Sequence, residues 1–287
     1  MNTQKPLLEN RRHSSAYIPY SYYKSRIPDY FPYVPMHWHK EFELNYIIEG
    51  SAQFRNENIS AHAKVGDIFI IQPNAIHSID SDTAVKYDTI VFSSDMLLGL
   101  ADDRCSAEMI YPLISGAKKI QFPVDSQNVY YEEIRTVTEN IISAAKSGGA
   151  LMDLLMKSEL LKLIWLLYKS GAVKDSREQK QVGDEQIRQA LEYMNDNFAE
   201  NIDIDTLAEK AFMSRSHFMH SFKAIAGMGA IEYLNKLRIR KVCEILQSDK
   251  MSIAEAAFSC GFKNLSNFNR QFKKAMGISP KEYKSRQ

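Results

Sequence analysis

The stretch MHWHKEFELNYIIEG, residues 36–50, carries His37, His39 and Glu43, followed by Gly50. Side chains alternate faces along a strand, so the even separations put 37, 39 and 43 on one face. Trp38, Phe42, Leu44 and Tyr46 then occupy the other. Downstream, GDIFIIQPNAIH adds Gly66, Pro73 and His77. Two imidazoles and a carboxylate on one face, with a third imidazole available, are the donors that hold a divalent metal. Three readings of His37, His39, Glu43 and His77 stand side by side. In the preferred one they line an effector pocket and hydrogen-bond a polar small molecule such as a sugar. In the second they are structural residues satisfied by local hydrogen bonds. In the least favoured they hold a metal ion. Arg55 and Glu41 are further pocket candidates. No cofactor is expected.

A second group of reactive side chains lies near the end of the chain. SNFNRQFKKAMG (266–277) repeats SHFMHSFKAIAG (216–227) fifty residues earlier, with Ser, Phe, Phe, Lys and Gly shared. At helical spacing Phe268 and Phe272 fall on one face, and Ser266, Asn267, Arg270, Lys273 and Lys274 on the opposite one. The earlier copy buries Phe218 and Phe222 and turns Ser216, His217, His220 and Lys223 outward. Upstream, LAEKAF (207–212) matches IAEAAF (253–258) at an offset of 46. Each unit therefore reads as helix, turn, helix, with a second turn four residues longer than the first. Between them, GAIEYLNKLRIRKVCEILQ (229–247) has helical periodicity and would form a rod of roughly 28 Å. Such a rod could hold two recognition helices in successive major grooves, one duplex turn being ~34 Å.

Charge agrees with that reading. From Lys210 onward there are 15 Lys/Arg and 5 Asp/Glu, a net of +10, while the first 209 residues carry −9 from 21 basic and 30 acidic residues. A basic tail on an acidic body fits a polyanionic partner.

The elements that must position these residues follow from the hydrophobic pattern. Residues 1–35 are rich in Tyr and Pro and read as an irregular arm with some edge pairing, which either lids a pocket or packs on a sheet edge. Short alternating runs over 36–93 predict the strands of a sandwich or small barrel. NVYYEEIRTVTENIISAAK and ALMDLLMKSELLKLIWLLYKS predict two helices around SGG (147–149). The second is apolar around much of its circumference and needs burial against the barrel, the first helix or another copy of the chain. The polar stretch that follows is the linker. The expected organisation is a barrel with its arm over 1–126, dimerisation helices over 127–170, a linker over 171–183 and a DNA-binding unit over 184–287. The fold class is α+β multidomain. Scattered Cys105, Cys243 and Cys260 fit a reducing cytoplasm, and no apolar run is long enough for a membrane span.

The strings MSRSHFMHSFKAIAGMGAIEYLNKLRIRKVCEIL and SIAEAAFSCGFKNLSNFNRQFKKAMGISPKEY resemble the DNA-binding domain of the arabinose-regulator (AraC/XylS) family. The second contains the signature GF…F.R.FKK..G.SP.EY almost throughout. The first departs from it at His220, where the family often has Arg. His37, His39, Glu43 and Gly50 likewise resemble the first cupin motif, and the spacing from Pro73 to His77 is one residue short of the second. By position the resemblance makes Ser216, Met219, His220, Leu265, Ser266, Asn269 and Arg270 base readers. Arg215, Lys223, Lys263, Lys273 and Lys274 become phosphate contacts, joined by Arg238, Arg240 and Lys241 on the connecting helix. It implies a non-enzymatic, dimeric regulator of promoter DNA with a cupin-like effector-sensing domain, working with RNA polymerase if it activates. Two rivals remain open: a metal-dependent cupin enzyme with a DNA-binding tail, and a constitutive DNA-binding protein whose barrel only dimerises.

Overall fold

The computed structural model describes residues 18–28, 33–57, 59–81, 83–99, 103–176, 182–226, 228–247 and 251–285. These divide into two compact units, one ending at Ser176 and one starting at Val182. The first is rich in strands and the second is helical, as the fold class expected.

Eight strands build the first unit: β1 (Tyr20–Ile27), β2 (Tyr33–His37), β3 (Phe42–Glu49), β4 (Ala52–Asn56), β5 (Ile59–Ala63), β6 (Ile68–Ile71), β7 (His77–Asp80) and β8 (Val85–Phe92). They form two four-stranded sheets, β1-β8-β3-β6 and β2-β7-β4-β5, with antiparallel neighbours throughout. Ile27, Ile47, Phe69, Val85 and Tyr87 of the first sheet pack with Phe54, Ala63 and Ile79 of the second. Phe54 and Phe69 stack at 4.2 Å across this layer. Gly50 ends β3 at φ +79°, and a Cβ there would collide with the Ala84 carbonyl, so this turn requires glycine.

The expected edge pairing of the arm takes the form of two edge strands, β1 and β2, more regular than the irregular arm the prolines suggested. β1 pairs with β8 along its whole length, from Tyr20 opposite Phe92 to Ile27 opposite Val85. Its prolines fall where a sheet tolerates them: Pro19 and Pro28 flank β1, and Pro35 lies in edge strand β2 at a register shift. Tyr17, Tyr30 and Pro32 lie outside the described residues.

After the strands come α1 (Tyr111–Ile114), β9 (Lys118–Ile120), α2 (Tyr131–Ser147), α3 (Ala150–Lys169) and β10 (Val173–Asp175). β10 pairs with β9, so part of the stretch read as linker belongs to this unit. α2 and α3 fold back on each other through Gly148 and Gly149, both at positive φ. Their apolar residues join Phe42, Leu44, Ile68, Ile70, Ile90 and Phe92 in one core on the outer side of the first sheet. Tyr20 donates to Asp153 of α3 at 2.6 Å, and Tyr22 donates to Asp88, which also takes Lys146 of α2 at 2.9 Å. These two tyrosines of the arm thus pack on the helical pair rather than lid a pocket. α3 buries Met156, Leu160, Leu163, Ile164, Leu166 and Leu167 but exposes Leu151, Leu154, Leu155, Leu161 and Trp165.

The second unit contains α4 (Val182–Asp196), α5 (Ile204–Lys210), α6 (Arg215–Ala226), α7 (Ala230–Gln247), α8 (Ile253–Ser259), α9 (Leu265–Met276) and α10 (Pro280–Ser285). The duplication is present, but its register differs from the one the strings suggest. Caps and burial align α5 with α8 at an offset of 49: N-caps Asp203 and Ser252, then buried Leu207, Ala208 and Ala211 against Ala256, Ala257 and Cys260. The recognition helices align at 50, so the second turn is one residue longer, not four. The likeness of LAEKAF to IAEAAF is coincidental, because an identical Ala-Phe pair falls on different helical positions. In the corrected register Phe212 is the counterpart of Gly261. Both have positive φ, +50° and +83°.

That equivalence can be checked by stability. A Cβ on Gly261 would press on the Ala199 backbone, so Gly261→Ala should destabilise the second unit by about 1–3 kcal/mol. Phe212 is 80% exposed, so Phe212→Gly should relieve a left-handed conformation and be neutral or stabilising by up to about 1 kcal/mol. Both tryptophans lie in the first unit. Urea unfolding followed by far-UV circular dichroism, alongside tryptophan fluorescence, would report the second unit separately. Equal losses in both variants would contradict the alignment.

Candidate functional site

Each recognition helix is oriented by an aromatic wedge. Phe218 and Phe222, four residues apart, lie 5.5 Å from each other, and Phe222 lies 5.8 Å from Tyr233 of α7. Phe268 and Phe272 repeat this at 5.5 Å, with Tyr283 of α10 5.6 Å from Phe272. All four phenylalanines are fully buried. α7 packs against both α6 and α9. Asn264 caps α9 by accepting from Asn267 N at 2.8 Å.

With the wedges inside, the outer faces are determined by helical geometry. Ser216, Met219, His220 and Lys223 of α6 are exposed, as are Leu265, Ser266, Asn269, Arg270, Lys273 and Lys274 of α9 and Lys263 before it. Met219 and Leu265, which packing could have claimed, are 44% and 38% exposed. Arg270 donates to Asn267 Oδ1 at 3.0 Å, which steadies its guanidinium along the outer face. Arg215 is exposed and paired with Asp205 at 2.6 Å, and Lys274 lies 3.4 Å from Glu232. These surface pairs are screened and exchange readily for another anion.

The basic residues of the connecting helix differ in being half-buried as well as paired. Arg238 donates from Nε to the Phe198 carbonyl and from Nη2 to the Glu200 carbonyl, both at 2.7 Å. Its fork clamps the loop between α4 and α5, and burial lowers its pKa. Arg240 and Lys241 are half-buried and share Glu244 at 3.3 and 2.9 Å. Charge in a string cannot distinguish a solvated cation from one already occupied. Cys243 and Cys260 are packing residues, with burial pushing their thiols up to about 12 and about 11.

In the first unit His37, His39, Glu43 and His77 come together, each offering a ligand atom within 4.8 Å of the others. They do not share one strand, as the parity argument supposed. His37 ends β2 in one sheet, Glu43 lies in β3 of the other, and His39 sits on the crossing between them. His37 pairs with His77 of β7, and their rings are 4.1 Å apart. Each imidazole Nδ1 lies near a backbone carbonyl: Pro35 O for His37 (2.9 Å), Glu41 O for His39 (3.1 Å) and Ala75 O for His77 (2.9 Å). A carbonyl only accepts, so each Nδ1 carries the proton. Glu43 Oε2 is 3.0 Å from His39 Nε2 and 3.4 Å from His77 Nε2. His77 Nε2 is buried and approaches the carboxylate without an aligned hydrogen bond.

Behind Glu43 runs a buried polar row. Asn45 donates to Glu43 Oε1 at 2.8 Å, Thr89 donates to Asn45 Oδ1 at 2.8 Å, and Ser25 lies 3.2 Å from Thr89. Burial pushes the Glu43 carboxyl up, but hydrogen-bond and charge contacts with His39 and His77 outweigh this and hold it well below the usual carboxylate range. Arg55 is not part of the cluster. It alternates with inward Phe54, so it faces the outside of its sheet, 3.7 Å from Asp80. The sequence missed Asn45 and Thr89. Both have the parity of Glu43 on facing positions of β3 and β8, which only the register reveals.

A family model described as the AraC-like ligand binding domain matches residues 19–164, and a helix-turn-helix domain model matches residues 207–286. An uncharacterized HTH-type transcriptional regulator of Bacillus subtilis, YdeC, is 23% identical over 290 residues, covering 97% of this chain and 96% of its own length. The arabinose operon regulatory protein of Salmonella typhimurium is 25% identical over 249 residues, with 86% and 84% covered. The HTH-type transcriptional activator RhaR of Pectobacterium carotovorum is 24% identical over 260 residues, with 89% and 87% covered.

Proposed function

The chain belongs to the AraC family of transcriptional regulators, and we propose that it acts as a homodimer that reads promoter DNA through α6 and α9 in answer to a small hydroxylated effector. The carrying observation is the pair of basic, hydrogen-bonding helix faces, each held outward by its own aromatic wedge. Ser216, Met219 and His220 of α6, and Leu265, Ser266, Asn269 and Arg270 of α9, read base edges. Arg270 suits the O6 and N7 acceptors of guanine, and Met219 and Leu265 suit thymine methyls. Arg215, Lys223, Lys263, Lys273 and Lys274 contact phosphates.

The effector reading rests on the buried polar row from Ser25 through Thr89 and Asn45 to Glu43. Burying such groups in an otherwise apolar layer is costly unless they are hydrogen-bonded, and hydroxyl-rich ligands exchange well with them. A sugar is the favoured class, in line with the arabinose regulator among the relatives. Effector binding would shift the populations of two arrangements of the dimer that hold the DNA-binding units differently. Activation through contact with RNA polymerase is the favoured outcome, in line with a relative named as an activator. The site of action is the cytoplasm; no helix among the described residues is long and apolar enough to cross a membrane.

Homodimerisation rests on the exposed stripe of α3. Leu151, Leu154, Leu161 and Trp165 follow one another at spacings of three, seven and four residues, with Leu155 beside them, on the side away from the core. This is the spacing of a helix-to-helix seam. Leu154→Glu should convert the dimer to a monomer in sedimentation velocity while leaving the fold intact. A dimer of unchanged affinity would remove α3 as the interface.

For DNA recognition, sites would first be selected from random duplexes with the full-length protein. Arg270→Ala should then cost about 1–3 kcal/mol and relax one base position. Lys273→Ala should weaken all sequences alike and flatten the salt dependence. Arg238→Ala should lower the melting temperature without changing the salt slope. Normal operator binding by Arg270→Ala would mean that α9 is placed wrongly.

A further inference from the structure

We propose that His217 and His220 make the α6 contact with DNA proton-linked: both imidazoles bind as cations, His220 at base edges and His217 at a phosphate. Affinity for the α6 part of the operator then rises as pH falls. The proposal rests on the reading of α6 as a DNA-facing helix and deepens it, adding His217 to the interface.

Three observations carry it. The first is position. Helical geometry sets His220 opposite the Phe218 and Phe222 wedge, with His217 beside it on the preceding turn. Both histidines are exposed. At the offset of 50 between the recognition helices, His220 stands where α9 has Arg270, and His217 where it has Asn267. Arg270 and Asn267 hold each other at 3.0 Å. Neither imidazole ring has a partner among the described residues.

The second observation is charge. Residues 263–274 carry Lys263, Arg270, Lys273 and Lys274, a charge of +4 with no acidic residue. The equivalent residues 213–224 carry Arg215 and Lys223, a charge of +2, again with no acidic residue. The two copies meet one polyanion with unequal charge only while the imidazoles are neutral. Protonation of both brings the first copy to the charge of the second.

The third observation is the surroundings. α4, α5 and α7 pack against α6. α5 brings Asp205, Glu209 and Lys210, α4 brings Arg188, Glu192 and Asp196, and the start of α7 brings Glu232 and Lys236. Asp205 is paired with Arg215 at 2.6 Å, and Glu232 lies 3.4 Å from Lys274. Among the described residues no carboxylate is paired with either imidazole. The anion that decides their charge on binding is therefore the DNA backbone.

Imidazole is the side chain that ordinarily changes charge between pH 5 and 8. A phosphate favours the imidazolium, so complex formation takes up protons. The contribution is full at low pH and is lost as pH rises, by up to about tenfold per pH unit for each imidazole. Each added cation also releases a counterion, so the salt slope steepens at low pH by up to about 0.9 per imidazole. An imidazolium donates from both ring nitrogens, which suits the O6 and N7 acceptors of guanine. Arginine and lysine stay charged throughout this range, so the α9 contact does not share the dependence.

The test uses full-length protein and a labelled duplex carrying a site selected at about pH 6. Anisotropy titrations run from about pH 6 to about pH 8 at fixed ionic strength. Wild-type affinity should fall about 10-fold or more across the range, and the salt slope should flatten. His217→Gln/His220→Gln should change by less than about 3-fold, with one salt slope at both ends. His220→Arg should keep only the smaller dependence contributed by His217. His62→Gln, at an exposed histidine of the first unit, should keep the wild-type profile. The other imidazoles of the first unit are common to every variant and drop out of the comparison. A flat wild-type profile, or parallel profiles for wild type and the double variant, would overturn the proposal. Lys223→Ala separates that failure from failure of the α6 reading. Weaker binding at both ends of the range keeps α6 on the DNA even where the imidazoles are silent. No effect at either end would take α6 off the DNA and the proposal with it. Circular dichroism checks folding, and if the double variant is unfolded, the His220→Arg and His217→Gln profiles decide.

Discussion

Two phenylalanines four residues apart, buried with a tyrosine from the next helix, are the constraint on which the DNA-binding unit depends. Burying each phenylalanine contributes roughly 1.5–3 kcal/mol, more than any single exposed contact on the same helix. The helix therefore cannot rotate to suit its outer residues, and the outer residues must suit the rotation. Phe218 and Phe222 present Ser216, Met219, His220 and Lys223, while Phe268 and Phe272 present Ser266, Asn269, Arg270 and Lys273. Because the wedges match and the outer residues do not, one scaffold is used twice to present two different surfaces. α7 serves both wedges, and Arg238 spends its charge securing the loop beside it.

The sensor unit obeys a related constraint. β3 and β8 are buried on both faces, one against the helical pair and one against the second sheet. Phe42, Leu44, Ile90 and Phe92 fill the first interface, and Glu43, Asn45 and Thr89 stand among apolar neighbours in the second. One strand thus carries a packing face and a chemical face in strict alternation. A one-residue slip would exchange them, burying four acceptors against the helices and turning the aromatics inward.

Much of this was legible in the sequence, and the failures have physical causes. The recognition helices were visible because Phe-x3-Phe and the outward Lys recur at one offset. The helices before them were misaligned because string identity outweighed caps; Asp203 and Ser252, both N-cap residues, give the correct register of 49. In the tyrosine and proline arm some edge pairing was legible but the full length of β1 was not, because proline is tolerated beside and within edge strands. His37, His39 and Glu43 were correctly grouped for a wrong reason, since they converge by a crossing between sheets rather than by alternation along one strand. A string also does not show which cations already have partners, as Arg238, Arg240 and Lys241 of α7 do.

The central claim is that one chain reads duplex DNA with two unlike helices held on a single rod of α7. Hydroxyl-radical footprinting of full-length protein on a selected site tests it most directly. Two protected windows per half-site, on one face of the duplex and about 10 base pairs apart, are the expected result. One window per half-site would contradict it, since only one of the two wedged helices would then be in a groove.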